Sequence, residues 1–214
     1  MLIELNTLNG AAKFTHELVE KCKQQFEGTI FAVEMGIGYG GGVHDIGLIL
    51  KDRGIVFGCD TFTGHPIELG LIDPAAIADG GMNSFAVKCM AKWPSILHVG
   101  PEHVTYDFIR HELDKDGLFN VNLVKGLITE KTNIDFIPKI HYVLLDMDFV
   151  LSMRNGYRLV KDKIVPGGYL CLHDVVPYGH IYGLNEFYQE ILKEDLFDVV
   201  QEEPKSFLAV LRKK

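Results

Sequence analysis

Five short, mainly apolar runs recur along the chain, and each gives way at once to an acid, a lysine or a histidine: Thr29–Val33, Gly54–Cys59, Val121–Val124, His141–Leu145 and Gly168–Leu172. Runs that are apolar on consecutive residues, without polar alternation, suit strands covered on both faces, as in a parallel sheet. Helix-like stretches separate them, with apolar spacing over Asn6–Phe26, Val43–Leu50, Pro101–Leu113, Leu151–Ile164 and Leu184–Leu192. Alternation of this kind predicts helices on both sides of a parallel sheet. The tail differs. Phe197–Val200 and Phe207–Leu211 are joined by a link too short for a crossover helix, so they should pair antiparallel at one edge. The expected fold is a Rossmann-like, doubly wound α/β sheet of seven strands, mostly parallel, with an antiparallel C-terminal strand. One domain should span residues 1–214, with an N-terminal helix over 6–27 and a lid or cap over about 64–116, which lacks strong strand signals.

The remaining features narrow the class. With 29 acidic against 21 basic residues the formal charge is −8, and no basic stripe offsets it, which disfavours nucleic-acid partners. Cys22, Cys59, Cys89 and Cys171 stand singly, without metal or redox spacing. No run is long enough to span a bilayer, and the first residues lack the apolar core of a signal peptide, so the expected compartment is the cytoplasm.

Residues able to carry chemistry gather where strands end. Val33-Glu34-Met35-Gly36-Ile37-Gly38-Tyr39-Gly40 lies between the first strand and its helix, where a doubly wound sheet binds a nucleotide. Gly36, Gly38 and Gly41 also satisfy the dinucleotide pattern GxGxxG, with Asp60 about twenty residues further on. A nicotinamide-dependent oxidoreductase therefore stays open as an alternative. Glu34 weighs against a pyrophosphate and suits a ligand bearing a sulfonium and an amino group, as S-adenosylmethionine does. Asp60, ending the second strand, can accept both ribose hydroxyls of either nucleotide. Asp146-Met147-Asp148 and His173-Asp174 end the fourth and fifth strands, and carboxylate-rich ends of this kind suit a hard divalent cation. Such an ion could lower the pKa of a substrate hydroxyl.

Taken in order, Val33-Glu34-Met35-Gly36, Asp60-Thr61-Phe62-Thr63-Gly64-His65-Pro66, Val124-Lys125-Gly126, Leu145-Asp146-Met147-Asp148, Pro166-Gly167-Gly168-Tyr169 and His173-Asp174 resemble the macrocin O-methyltransferase family. Members are class I, S-adenosylmethionine-dependent enzymes that methylate sugar hydroxyls of macrolide antibiotics. The resemblance implies a small hydroxylated acceptor, a sugar or natural product, and a cofactor site of Glu34, Gly36, Gly38, Gly40, Asp60, Thr61, Gly126, Leu127 and Asp146. It implies a divalent ion, Mg²⁺ or Mn²⁺, on Asp146, His173 and Asp174, and a homo-oligomer with the N-terminal helix at its interface. The chain departs from the pattern at His173, where the family has an acid, at Leu127, where it has an aromatic residue, and at Val150, where a tyrosine is expected. These departures also leave open a non-catalytic, nucleoside-binding relative. A histidine ligand would move metal preference from Mg²⁺ towards Mn²⁺, Zn²⁺ or Fe²⁺; alternatively His173 accepts a proton. His173 and Asp146 are the expected catalytic pair, with His65, His98 and His103 as other candidate bases. His141 opens the fourth strand, at the opposite end of the sheet.

Overall fold

A computed structural model describes residues 10–63, 105–175, 183–203 and 208–214. Its elements are α1 (Gly10–Gln25), β1 (Ile30–Met35), α2 (Gly41–Ile49), β2 (Gly54–Asp60), α3 (Tyr106–Lys115), β3 (Val121–Lys125), β4 (Ile140–Leu145), α4 (Val150–Val160), β5 (Ile164–Leu172), α5 (Leu184–Lys193), β6 (Phe197–Glu203) and β7 (Leu208–Lys213). They form a seven-stranded sheet in the order β3-β2-β1-β4-β5-β7-β6. Strands β1 to β5 run parallel, and β7 pairs antiparallel with both β5 and β6.

The two faces of the sheet explain the uninterrupted apolar runs. In β1, Ala32 belongs to the core beneath α1, α2 and α3, whereas Val33 and Met35 belong to the core beneath α4 and α5. In β4, Tyr142 and Leu144 face the first core, and Val143 and Leu145 the second. β1 and β4 feed two cores by simple alternation, which leaves their central positions to apolar side chains. Leu18, Val19 and Cys22 bring α1 onto the first face, and Met153, Tyr157 and Val160 bring α4 onto the second.

Two expectations change. The helix expected over Pro101–Leu113 begins at Tyr106 in the described part of the chain, and it is not a lid element: Ile109 and Leu113 are fully buried in the first core. Burial of each contributes about 1.5–3 kcal/mol, enough to bind α3 to the sheet. The rest of the expected lid, residues 64–104, lies outside the described residues, as do residues 6–9 of the expected N-terminal helix. The helix expected to run to Ile164 stops at Val160, and Ile164 already pairs with Ile140. Pro166-Gly167-Gly168 therefore interrupts a strand rather than ending a helix. The β4–β5 register shifts there, between Ile140 and Tyr142, and Gly167 has φ +81°. At the far edge β6 carries exposed Val199 and Val200, and its ladder to β7 is broken between Val199 and Gln201, an irregularity that discourages further strand addition.

No helix among the described residues is long and apolar enough to cross a membrane.

Candidate active site

The strand order reverses between β1 and β4, and a crevice opens at the carboxyl ends of such a pair. Backbone hydrogen bonds extend the ladder one residue past the strands there. Gly36 N–H donates to Cys59 O (2.8 Å), Asp146 N–H to Met35 O (2.8 Å), His173 N–H to Leu145 O (3.0 Å) and Gly126 N–H to Asp60 O (2.9 Å). The residues that follow each strand are thereby held in register along one edge.

Gly36 is demanded by this closeness. Its φ is +87°, and a Cβ there would lie 2.0 Å from the carbonyl oxygen of Asp146. Gly38, at φ +52°, faces open space, and its N–H donates to Asp60 Oδ2 (3.2 Å). The other oxygen of Asp60 accepts from Phe62 N–H (2.9 Å) and Thr61 Oγ1 (3.3 Å). Asp60 thus ties the glycine loop to the end of β2 and stands half-buried beside it. Gly40 has a different part from the one expected: it caps α2, and a Cβ there would lie 2.8 Å from Ile109 Cγ2, so its visible role is to admit α3. Gly126 is exposed and open, and Leu127 beside it is half-buried. Beyond β2 and β3, a depression of about 460 Å³ is lined by Phe62, Thr105, Tyr106, Asp107 and Lys125, with Phe62 and Tyr106 in edge-to-face contact at 5.2 Å.

Glu34 is 4% exposed, and its Oε2 is buried without a hydrogen-bond partner. Its carboxyl occupies space that α2 leaves free, since a Cβ on Gly42 would fall 2.3 and 2.4 Å from the two oxygens. Burial first, then the charges of Asp146, Asp45 and Asp60, hold this carboxyl well above the usual carboxylate range. A buried acid in that condition would be strongly stabilised by a cation placed against it.

Asp146 follows β4, and His173 and Asp174 follow β5. His173 Nδ1 lies 2.9 Å from Asp146 Oδ1 and 3.1 Å from Asp174 Oδ2. One ligating atom from each residue falls within 4.8 Å of the others, the only such trio of His, Cys, Asp or Glu among the described residues. Nδ1 is buried within ion-pair distance of both carboxylates, without a well-aligned N–H···O to either. Three side chains whose ligating atoms converge in this way match the needs of a coordinated cation, and two carboxylates with one imidazole form a sound divalent set. Burial alone would lower the basicity of His173, but Asp146 and then Asp174 outweigh it and push the ring up to about 11. Asp148, which the expected metal set omitted, joins the cluster. Burial, Asp146 and Asp174 keep its carboxyl well above the usual range, and it reaches Asp174 by a hydrogen bond. Asp148 and Asp174 both have left-handed backbones, φ +61° and +60°, a strain that tends to collect at functional sites. The Asp-x-Asp spacing was the available sequence signal for Asp148.

The structure therefore brings together Glu34, Gly36, Gly38, Asp60, Thr61, Gly126, Leu127, Asp146, His173 and Asp174 along one edge. It leaves His141 at the other end, fully buried, with Nδ1 accepting from Phe31 N–H (3.0 Å). His65, His98 and His103 lie outside the described residues.

Known proteins share this fold. No curated protein sequence matches the chain. Among solved structures, the O-methyltransferase NovP superposes with TM-score 0.69 at 17% identity, covering 95% of this chain and 79% of that one. An O-methyltransferase from Bacillus cereus in complex with SAH gives 0.61 at 14% identity, covering 99% and 89%. CalS11, a calicheamicin methyltransferase, gives 0.56 at 16% identity, covering 93% and 77%. These likenesses establish the methyltransferase fold. The model of the macrocin-O-methyltransferase (TylF) family matches residues 9–201, nearly the whole chain, and sets aside the nicotinamide-dependent oxidoreductase. The chain belongs to the macrocin-O-methyltransferase (TylF) family and is an O-methyltransferase.

Proposed function

We propose that this enzyme transfers the methyl group of S-adenosylmethionine to a hydroxyl of a small molecule, a sugar or natural product, with a divalent ion on Asp146, His173 and Asp174. The observation that carries the reading is the meeting, at one switch point, of an orphaned buried acid, a ribose-type acid and a three-residue ligand cluster. Asp60 would accept the ribose hydroxyls, Gly36 and Gly38 would let the loop backbone approach the cofactor, and Glu34 would face its cationic end. Thr61, Gly126 and Leu127 would border the base, and Asp146 would stand between cofactor and acceptor. The ion, when bound, would lower the acceptor hydroxyl's pKa and hold its oxygen near the methyl group. The hydroxyl proton is assigned to the same cluster, to Asp146 when His173 holds the ion and to His173 when it does not. Methyl transfer needs the oxygen in line with the S–CH₃ bond, and such positioning can supply about 7–11 kcal/mol of the barrier.

S-adenosylhomocysteine titrated into metal-stripped protein tests the cofactor assignment, with NADH as the control. It should bind, and Asp60→Ala should weaken it by about tenfold to a hundredfold, the worth of hydrogen bonds to a charged acceptor. Equal binding by Asp60→Ala and the parent would overturn the assignment.

A further inference from the structure

We propose that the Asp146–His173–Asp174 cluster selects a first-row transition ion, of the Mn²⁺, Co²⁺, Fe²⁺ or Zn²⁺ kind, over Mg²⁺, with His173 Nδ1 as the discriminating donor. The inference rests on the divalent-ion reading above and adds which ion the site is built for.

Mg²⁺ takes oxygen ligands in a strict octahedron and sheds its water reluctantly. Imidazole nitrogen suits the transition ions instead. The structure commits this nitrogen to the cluster. Nδ1 is buried at ion-pair distance from both carboxylates, 2.9 Å from Asp146 Oδ1 and 3.1 Å from Asp174 Oδ2. The backbone keeps it there, because His173 N–H is bonded to Leu145 O (3.0 Å) and the left-handed turn at Asp174, φ +60°, follows directly. The backbone that carries the ring is thus fixed by the β4–β5 ladder before any ion arrives.

Charge points the same way. Asp146 and Asp174 together neutralise a divalent ion, so an imidazole that releases its Nδ1 proton on binding the ion completes an uncharged set, where a third carboxylate would leave a net negative one. Mg²⁺, held chiefly by electrostatic attraction, loses more from that change than an ion that gains a nitrogen bond.

The test uses the full-length, metal-stripped protein. Bound Mn²⁺ is followed by its paramagnetic resonance signal, with Mg²⁺ and then Zn²⁺ added as competitors, in the parent and in His173→Asp. S-adenosylhomocysteine binding is measured on the same samples to show that each is folded. In the parent, half-displacement of Mn²⁺ should require roughly a hundredfold excess of Mg²⁺ or more, while Zn²⁺ should displace it at comparable concentration. In His173→Asp the Mg²⁺ excess should fall by roughly tenfold or more. Displacement by equimolar Mg²⁺ in the parent would overturn the proposal whether or not the variant folds, as would an unchanged ratio in a folded His173→Asp. In those cases only the selectivity fails. If the parent bound S-adenosylhomocysteine but no ion of any kind, the metal-assisted reading would fall with it.

Discussion

Replacing Gly36 by alanine tests the packing that sets the whole site, and Gly38 in the same loop supplies the control. Both residues have positive φ, +87° and +52°, so alanine at either costs about 1–2 kcal/mol of left-handed strain. They differ in surroundings. At Gly38 a Cβ would meet nothing within 4 Å, whereas at Gly36 it would lie 2.0 Å from Asp146 O and 2.6 Å from Asp146 C. Those atoms are backbone, and the bond from Asp146 N–H to Met35 O (2.8 Å) holds them against β1. Relief requires parting the ends of β1 and β4, a steric cost of about 1–3 kcal/mol beyond the strain. Gly38→Ala should therefore lose about 1–2 kcal/mol and Gly36→Ala about 2–5 kcal/mol. In urea unfolding the two midpoints should be separated by roughly 0.5–1 M. Because the displaced atoms belong to Asp146, Gly36→Ala should also weaken divalent-ion binding. Equal midpoints for the two variants would refute the argument that this glycine is required by the approach of β4.

Two other residues allow independent checks. Burial, with a smaller contribution from Lys139, holds His141 down to about 4 from its ordinary 6.5. The unfolded chain takes up the proton first as pH falls, so the stability contributed by the neutral ring is complete above pH 6.5 and is lost progressively down to about pH 4. The full loss amounts to about 3 kcal/mol, and it should vanish from the pH dependence of urea unfolding in His141→Asn; an identical slope in parent and variant would assign the acid sensitivity elsewhere. Gly42 lies in α2, where alanine would ordinarily gain about 1 kcal/mol, yet its Cβ would strike the Glu34 carboxyl. Gly42→Ala should destabilise the parent and stabilise the Glu34→Ala background, a reversal of sign readable in a double-mutant cycle; additive effects would mean that Glu34 moves aside freely.

The strands and most helices were legible in the sequence because a strand that feeds two cores must be apolar on every residue, and because Glu34, Asp60, Asp146 and His173 mark the points where those runs stop. The antiparallel tail was legible too, since its connecting turn is too short to cross the sheet. Local pattern did not reveal that α3 packs under the first face, as its apolar spacing would serve a lid equally well. Nor did Pro166-Gly167-Gly168 announce an irregularity within β5, because the same residues commonly end helices.

By itself, the sequence determined the α/β class and the edge of the sheet on which the polar residues emerge, both of which follow from local periodicity and strand-end chemistry, and its ordered motifs carried the resemblance to the family. Only the tertiary structure decided that β4 lies between β1 and β5, which sets Asp146 against His173 and Asp174 and close to Glu34. It also decided that Gly42 leaves room for the Glu34 carboxyl and that His173 turns Nδ1 inward. Periodicity records which face of an element is buried. Which element covers it, and which side chains then meet, depends on strand order and register across residues far apart in the chain.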